Sequence, residues 1–311
     1  MVSFTLPPFV LVSAYCVISQ TSAFRSSPRL GHAAAISRTS SAASAVAPSP
    51  PKAEARTAPS VVVGKFDSYA STFESHLVDN LKYCAPREVA RAASERIAND
   101  RDGEPYASAL DAGCGTGLAG PPLRRLVSGP LVGADLSPKM AELAAELVVD
   151  DGPDPIVPDR MRRCSETARL ALASDAPDRL YDGVFTADLL DLSHANFLEG
   201  YGHEVREMPS EPFDLIVAAD VLCYFGAMDE VLEVFSERLA AGGDVIFTTE
   251  TMNGGDYNWV ETSSGRFAQN PEYVERMALQ AGLAKVYQSA FTPRMESGEK
   301  VLGTLHIFTK L

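Results

Sequence analysis

Between residues 109 and 118 the chain reads Ala-Leu-Asp-Ala-Gly-Cys-Gly-Thr-Gly-Leu. Leu110 and Asp111 read as the end of a buried strand, and Leu118 as the neighbourhood of a helix start. Between them glycine recurs at alternate positions, Gly113, Gly115 and Gly117. Glycine permits positive φ, and without a Cβ it lets a ligand approach the backbone. A strand, a tight glycine turn and a helix in that order predict an open α/β sheet with a ligand at the carboxyl end of the strand. The dinucleotide fingerprint is G-x-G-x-x-G. Here the third glycine comes one residue early, giving G-x-G-x-G.

Downstream segments extend this pattern. Leu131-Val-Gly-Ala-Asp135 predicts a second strand ending on an acid 20 residues after Gly115. An acid there accepts ribose hydroxyls, and would serve a nicotinamide or any other adenosine cofactor equally well. Ser137 and Pro138 open the next helix, with Met140 in its first turn placed to pack on adenine. Leu180 to Asp191 contains a third strand. Phe213-Asp-Leu-Ile-Val-Ala-Ala-Asp220 is apolar enough for a central parallel strand. Its carboxyl end should bring Asp220, Tyr224 and the backbone of Ala219 to the ligand. Gly242 and Gly243 make a turn before a strand over 244–250, and 284–290 and 303–309 alternate as strands.

With the acid Asp111 two residues before the first glycine, the G-x-G-x-G loop resembles motif I of the class I S-adenosylmethionine (SAM) dependent methyltransferases. The resemblance implies a Rossmann-like α/β fold. Its sheet has seven mostly parallel strands in the order 3-2-1-4-5-7-6, strand 7 antiparallel, with helices on both faces. It implies SAM as cofactor, held by Asp111, Gly113, Gly115, Thr116, Gly117, Asp135, Leu136, Ser137, Met140, Leu189, Ala219, Asp220 and Tyr224. Asp188, just after strand three, would accept from the adenine amine. Phe66, Tyr69, Phe73, His76 and Leu77 share one helical face. This face precedes the loop where such enzymes place a lid, so Tyr69 joins the cofactor set.

The stretch Phe66-Asp-x-Tyr-Ala-x-x-Phe-x-x-His-Leu-Val-x-x-Leu-x-Tyr-x-x-Pro86, with Asp135-Leu-Ser-Pro-x-Met140, narrows the likeness. It resembles a group of predicted bacterial methyltransferases, some fused to tetratricopeptide repeats, which this chain lacks. Cys84 stands where the group commonly has Arg, and Gln269 where its Gly-Arg-Tyr-x-His stretch has His.

Charge and targeting signals bound the partners. The chain has 311 residues and a net charge of −14. The first sixty residues carry five Lys/Arg against Glu54 alone, so the remainder carries −18. An acidic body repels a phosphate backbone and argues against nucleic acid. Residues 1–23 resemble a signal peptide, with an apolar core at 4–19 too short to span a membrane. Residues 24–60 are Ser/Ala/Arg/Pro-rich like a disordered transit peptide, and residues 61–311 are expected to hold the enzyme. Ser22-Ala-Phe24 at the junction resembles the bipartite plastid presequence of algae with secondary plastids, with the secretory pathway as the alternative destination. Residues 149–178 read as an insertion carrying Arg160, Arg162 and Arg163. Five scattered cysteines without a C-x-x-C step argue against a disulfide framework and a zinc site, and no metal is expected.

The sulfonium of SAM is an activated donor, so the protein mainly has to align the acceptor and exclude water. Where the acceptor must first lose a proton, Asp220, Glu250 and His76 are the candidate bases, and Arg266 and Arg294 the candidate substrate contacts. The expectation is a monomer that methylates a small molecule, with a protein side chain as second choice. A nicotinamide-dependent oxidoreductase and a non-catalytic SAM-binding protein are the competing readings.

Overall fold

The computed structural model describes residues 55–74, 81–148, 179–252, 254 and 256–311. The expected targeting segments up to residue 54, the insertion at 149–178 and His76 lie outside the described residues.

Strand β1 (Ala109–Ala112) is buried along its whole length and lies between β2 (Leu131–Asp135) and β5 (Phe213–Ala218), parallel to both. Beyond β2 comes β3 (Gly183–Thr186), and beyond β5 comes β6 (Leu239–Thr251), all parallel. Strand β12 (Gly303–Lys310) runs antiparallel between β6 and β9 (Leu283–Phe291). These seven strands reproduce the expected order, with the last strand antiparallel. Three short strands raise the total to ten. Asn196–Phe197 (β4) borders β3, and the hairpin of β7 (Trp259–Glu261) and β8 (Phe267–Gln269) extends the carboxyl end of β6. A separate hairpin joins β10 (Met295–Glu296) and β11 (Glu299–Lys300).

Successive strand side chains point to opposite faces, and the core divides accordingly. Leu110, Ile216, Val245 and Phe308 join one apolar cluster; Ala109, Leu215, Ile246 and Ile307 join the other. Helix α2 (Ala85–Asp100) covers the second face with Val89, Ala92 and Ala93. Helices α5 (Asp229–Arg238) and α6 (Pro271–Gln280) cover the first with Leu232, Phe235 and Val274.

Local geometry departs from expectation at three points. The helix after the glycine loop, α3, is only Gly120–Arg124 and starts two residues later than expected. Pro121 and Pro122 confine it, because proline is tolerated in a first turn and not beyond. The Gly242-Gly243 turn is absorbed into β6 as a bulge: Leu239 pairs with Phe213, yet Asp244 pairs with Leu215. Contacts with the sheet also reach back before residue 61, to Ala55. Ala55 and Thr57 exchange backbone hydrogen bonds with Tyr224, Gly226 and Ala227, and helix α1 starts at Pro59. This strap ties the end of the acid-poor segment to the sheet.

Candidate active site

Because β1 has neighbours on both sides whose connections leave in opposite directions, a crevice opens at its carboxyl end. The glycine loop forms its floor. The N–H groups of Gly113 and Cys114 donate to Ala134 O, and that of Gly115 donates to Asp135 Oδ2 at 2.8 Å. Asp135 Oδ1 accepts from Ser137 N at 2.8 Å, so one carboxylate ties the loop to the start of α4 (Pro138–Ala145). Gly113 and Gly115 both have positive φ but serve different ends. A Cβ on Gly113 would come within 2.4 Å of Val221 Cγ2, whereas one on Gly115 would point into open space. Gly113 is thus required by packing, and Gly115 leaves room for a ligand.

Above the floor, helix α1 (Pro59–Tyr69) forms a wall. Its Asp67 accepts from Ser137 Oγ at 2.6 Å, which fixes it over α4. The cleft encloses about 110 Å³ and is open to solvent on one side. One end is polar and acidic, with Asp111, Thr116 and Asp135; the other is aromatic, with Phe66, Phe73, Tyr83 and Tyr224, beside Arg266.

Eleven of the fifteen residues expected to touch cofactor line this cleft: Asp111, Gly113, Gly115, Thr116, Asp135, Leu136, Met140, Leu189, Ala219, Asp220 and Tyr224. Four do not. Gly117 faces Leu147, and Ser137 is the N-cap of α4, accepting from Met140 N. Tyr69 stacks edge-on against Phe73. Asp188 Oδ1 is held by Arg56 Nη2 at 2.7 Å and by Leu190 N at 3.0 Å. The strap thus pairs with one oxygen of the acid that was expected to meet adenine. Arg56 and Thr57 line the cleft themselves. Nothing in their segment's composition signalled this. Phe66 and Phe73 were legible as part of the aromatic stripe, and Tyr83 as part of the Tyr-x-x-Pro step.

Electrostatics at the polar end favour a cationic ligand. Burial pushes the Asp111 carboxyl up to about 7, against the lowering effect of its 2.7 Å hydrogen bond from Tyr181. Burial also pushes Asp135 up to about 6, countered by the N–H groups of Ser137 and Gly115. Each carboxylate would be relieved by a positive charge or a hydroxyl donor. Among the described residues, Thr116 Oγ1 is buried without a hydrogen-bond partner, a cost that a bound ligand removes. SAM would fit this end: its ribose hydroxyls would meet Asp135, its ammonium the acidic floor and its carboxylate the Thr116 hydroxyl.

A pH dependence follows. Both acids have raised folded-state values, so between about 4 and 7 the folded protein binds more protons than the unfolded chain. Their contribution to stability therefore grows as pH falls through that window, while their charge toward a cationic cofactor disappears. SAM affinity measured by calorimetry should weaken between pH 8 and pH 5.5, and Asp135→Asn should flatten that dependence. An unchanged slope in the variant would remove Asp135 from the account.

At the aromatic end lies a buried ion network. Asp220 follows β5 in the left-handed region at φ 59°, with its N–H donating to Thr248 Oγ1 at 2.8 Å. That strained turn aims its carboxylate at two guanidiniums. Arg294 donates to Asp220 Oδ1 at 3.1 Å, to Glu250 Oε1 at 2.6 Å and to Glu296 Oε2 at 3.2 Å. Arg266 Nη1 reaches Asp220 Oδ2 at 3.0 Å, Glu250 Oε1 at 3.3 Å and Cys223 Sγ at 3.5 Å. The ligand atoms of Asp220, Cys223 and Glu250 lie within 4.8 Å of one another, the only such metal-binding geometry among the described residues. Arg266 Nη1 bonds all three, so a side-chain cation already stands there. Burial pushes the Cys223 thiol up to about 12 and keeps it protonated.

The two expected substrate arginines therefore separate. Arg266 lines the cleft; Arg294 is 3% exposed and faces the acids. Of the expected bases, Asp220 reaches the cleft and Glu250 does not, and both are engaged by two guanidiniums.

Residues 72–288 match the methyltransferase domain family. No curated protein sequence matches the chain. Among solved structures, the fold is shared with the 1,6-didemethyltoxoflavin N1-methyltransferase of Burkholderia thailandensis, solved with that compound and S-adenosylhomocysteine (SAH). The two are 14% identical, with 82% of this chain and 91% of that chain covered and a TM-score of 0.50. The N-methyltransferase NodS of Bradyrhizobium japonicum, in complex with SAH, is 16% identical over 80% of this chain and 97% of that chain, with a TM-score of 0.48. With the family matched over most of its folded length and a sheet in the expected order around a glycine-floored cleft, the chain belongs to the methyltransferase domain family and is a SAM-dependent methyltransferase of the class I fold.

Proposed function

We propose that the enzyme transfers the SAM methyl group to a small molecule held at the aromatic end of the cleft. The observation that carries this reading is one cavity with two chemically different ends: Asp111, Thr116 and Asp135 for the donor, Phe66, Phe73, Tyr83 and Tyr224 for a flat or apolar acceptor. SAM supplies an activated methyl group. The chain's own residues bind, orient and exclude water. Asp135 fixes the loop under the donor, and helix α1 with the 55–58 strap closes the cleft from above. Tyr83 donates to Ala219 O at 3.3 Å, which braces the rim between donor and acceptor ends.

The enclosed, half-apolar space suits a small molecule better than a protein chain. The Burkholderia enzyme of the same fold, captured with a small acceptor and SAH together, supports this direction. The acidic floor also disfavours a nicotinamide dinucleotide, whose pyrophosphate would lie against Asp111 and Asp135.

The test is label transfer. Purified protein incubated with methyl-labelled SAM and a mixed small-molecule extract should place label on low-mass products, while calorimetry should register SAH and no NAD. Label found only on polypeptides would overturn the small-molecule acceptor. NAD binding tighter than SAH would overturn the cofactor.

A further inference from the structure

The aromatic end holds more cationic hydrogen-bond donors than its protein partners use. Arg266 engages Asp220, Cys223 and Glu250 through Nη1 alone. Its Nη2 and Nε have no hydrogen bond among the described residues, and the side chain lines the cleft. Its guanidinium carbon lies 5.3 Å from the centroid of the Tyr224 ring. The Lys65 ammonium lies 5.6 Å from the same centroid, on an exposed helix position beside the cleft rather than in its lining, and Lys65 forms no ion pair among the described residues. Burial and then the Arg266 charge lower the Lys65 pKa, so two cations gathered on one ring press against each other. The ring itself is 7% exposed, and its hydroxyl is buried without a partner among the described residues. A free guanidinium edge, an ammonium and an orphaned hydroxyl are all donors. The nearby acceptors, Asp220 and Glu250, are already taken by Arg266 and Arg294.

Glu296, which also faces Lys65, is engaged by Arg294 through Oε2. A cleft wall with unused guanidinium and hydroxyl donors, beside acids already in ion pairs, favours an anion. It also rejects acceptors that need chemistry it lacks. A protonated amine would meet Arg266 and Lys65 and would have to shed a proton. The carboxylates nearest to it are held in ion pairs.

We propose that the methyl acceptor is a small-molecule carboxylate, bound through Arg266 and the Tyr224 hydroxyl with the Lys65 ammonium beside the cleft, and that the product is its methyl ester. A carboxylate is ionised at neutral pH and planar, and it matches the paired N–H edge of a guanidinium. One carboxylate oxygen bonds the methyl carbon as the carbon–sulfur bond breaks, and that bond's electron pair remains on sulfur. Anion and sulfonium become neutral ester and neutral thioether, with no proton lost or gained, so no general base is needed. This inference rests on the methyltransferase reading and adds the acceptor's chemical class.

The experiment uses the full chain, methyl-labelled SAM, and a panel of benzoate, cinnamate and octanoate, each paired with its uncharged amide. Methyl esters release label as methanol in mild alkali; aryl ethers and methylamines do not. The expected result is alkali-labile label from at least one acid and none from its amide. Arg266→Gln should lower kcat/KM at least tenfold with SAH affinity within about twofold of the parent, and Tyr224→Phe should lower kcat/KM by a similar factor. Arg266→Gln also breaks buried ion pairs, so Lys65→Met, on an exposed helix position, gives an independent reading and should raise KM for the acid several-fold. SAH binding with no alkali-labile product from any acid, or with amides accepted as well as acids, would overturn the carboxylate and leave methyl transfer standing. Failure to bind SAM or SAH would overturn both.

Discussion

Replacing Arg294 by methionine should cost the fold about 3–5 kcal/mol, the usual penalty for removing one partner of a buried ion pair. Burial alone disfavours the Arg294 charge, but Asp220 and Glu250 more than compensate and hold its pKa above the ordinary value. Without it, Glu250 and Asp220 would share Arg266 alone, and two carboxylates with 8% exposed side chains would face each other. Arg266 screens part of that repulsion and places the cost toward the lower end of the range. Since roughly 1 kcal/mol moves Tm by about 2–4 °C in a domain of this size, a drop of about 10 °C is expected. The backbone adds a second effect. Pro293 O accepts from Cys84 N at 3.0 Å, so the segment carrying Arg294 also anchors the start of α2. Adding Glu250→Gln to the methionine variant should restore part of the loss by removing one unpaired charge. A single variant within 1 kcal/mol of the parent in chemical denaturation would show that the network is dispensable.

Asp135→Asn should behave in the opposite way, damaging binding and sparing the fold. The carboxylate accepts from two backbone N–H groups, Gly115 and Ser137. An asparagine offers one oxygen and turns an NH₂ toward the other N–H, so the loop loses one tie and the donor loses its anionic partner. Hydrogen bonds to charged groups contribute about 1.5–3 kcal/mol, which converts to a roughly 10–150-fold weaker SAM Kd. Stability should change little near pH 8, because burial already penalises the ionised carboxyl. Calorimetry and thermal denaturation on the same sample would check both halves. A variant that binds SAM within threefold of the parent would show that Asp135 serves only the loop.

The contrast between these variants follows a division in how the molecule is encoded. The glycine floor of the cleft was legible because its signals are local. Gly113 and Gly115 lie within a few residues of Asp111, and Asp135 comes one strand later. Apolar runs over β1, β2, β5 and β6 announce central strands because both faces of each must be buried. The alternation in β9 and β12 marked them as strands, and the family resemblance made them the closing pair. Even the miss at α3 has a local cause, since Pro121 and Pro122 were there to be weighed.

The acceptor half depends on pairings between residues far apart in sequence. Asp188 was assigned to adenine by its position after β3, yet its partner is Arg56, 132 residues away. Arg266 and Arg294 looked interchangeable; they differ because one stands 46 residues from Asp220 on the cleft side and the other 74 residues away on the buried side. The order of elements, the glycine floor and its two acids were determined by the sequence itself, through periodicity and short-range spacing. Which guanidinium meets the ligand, which acid is already paired and where the strap lies were decided only by the tertiary structure. Any carboxylate suits any guanidinium, and only the folded backbone selects the pairs that meet.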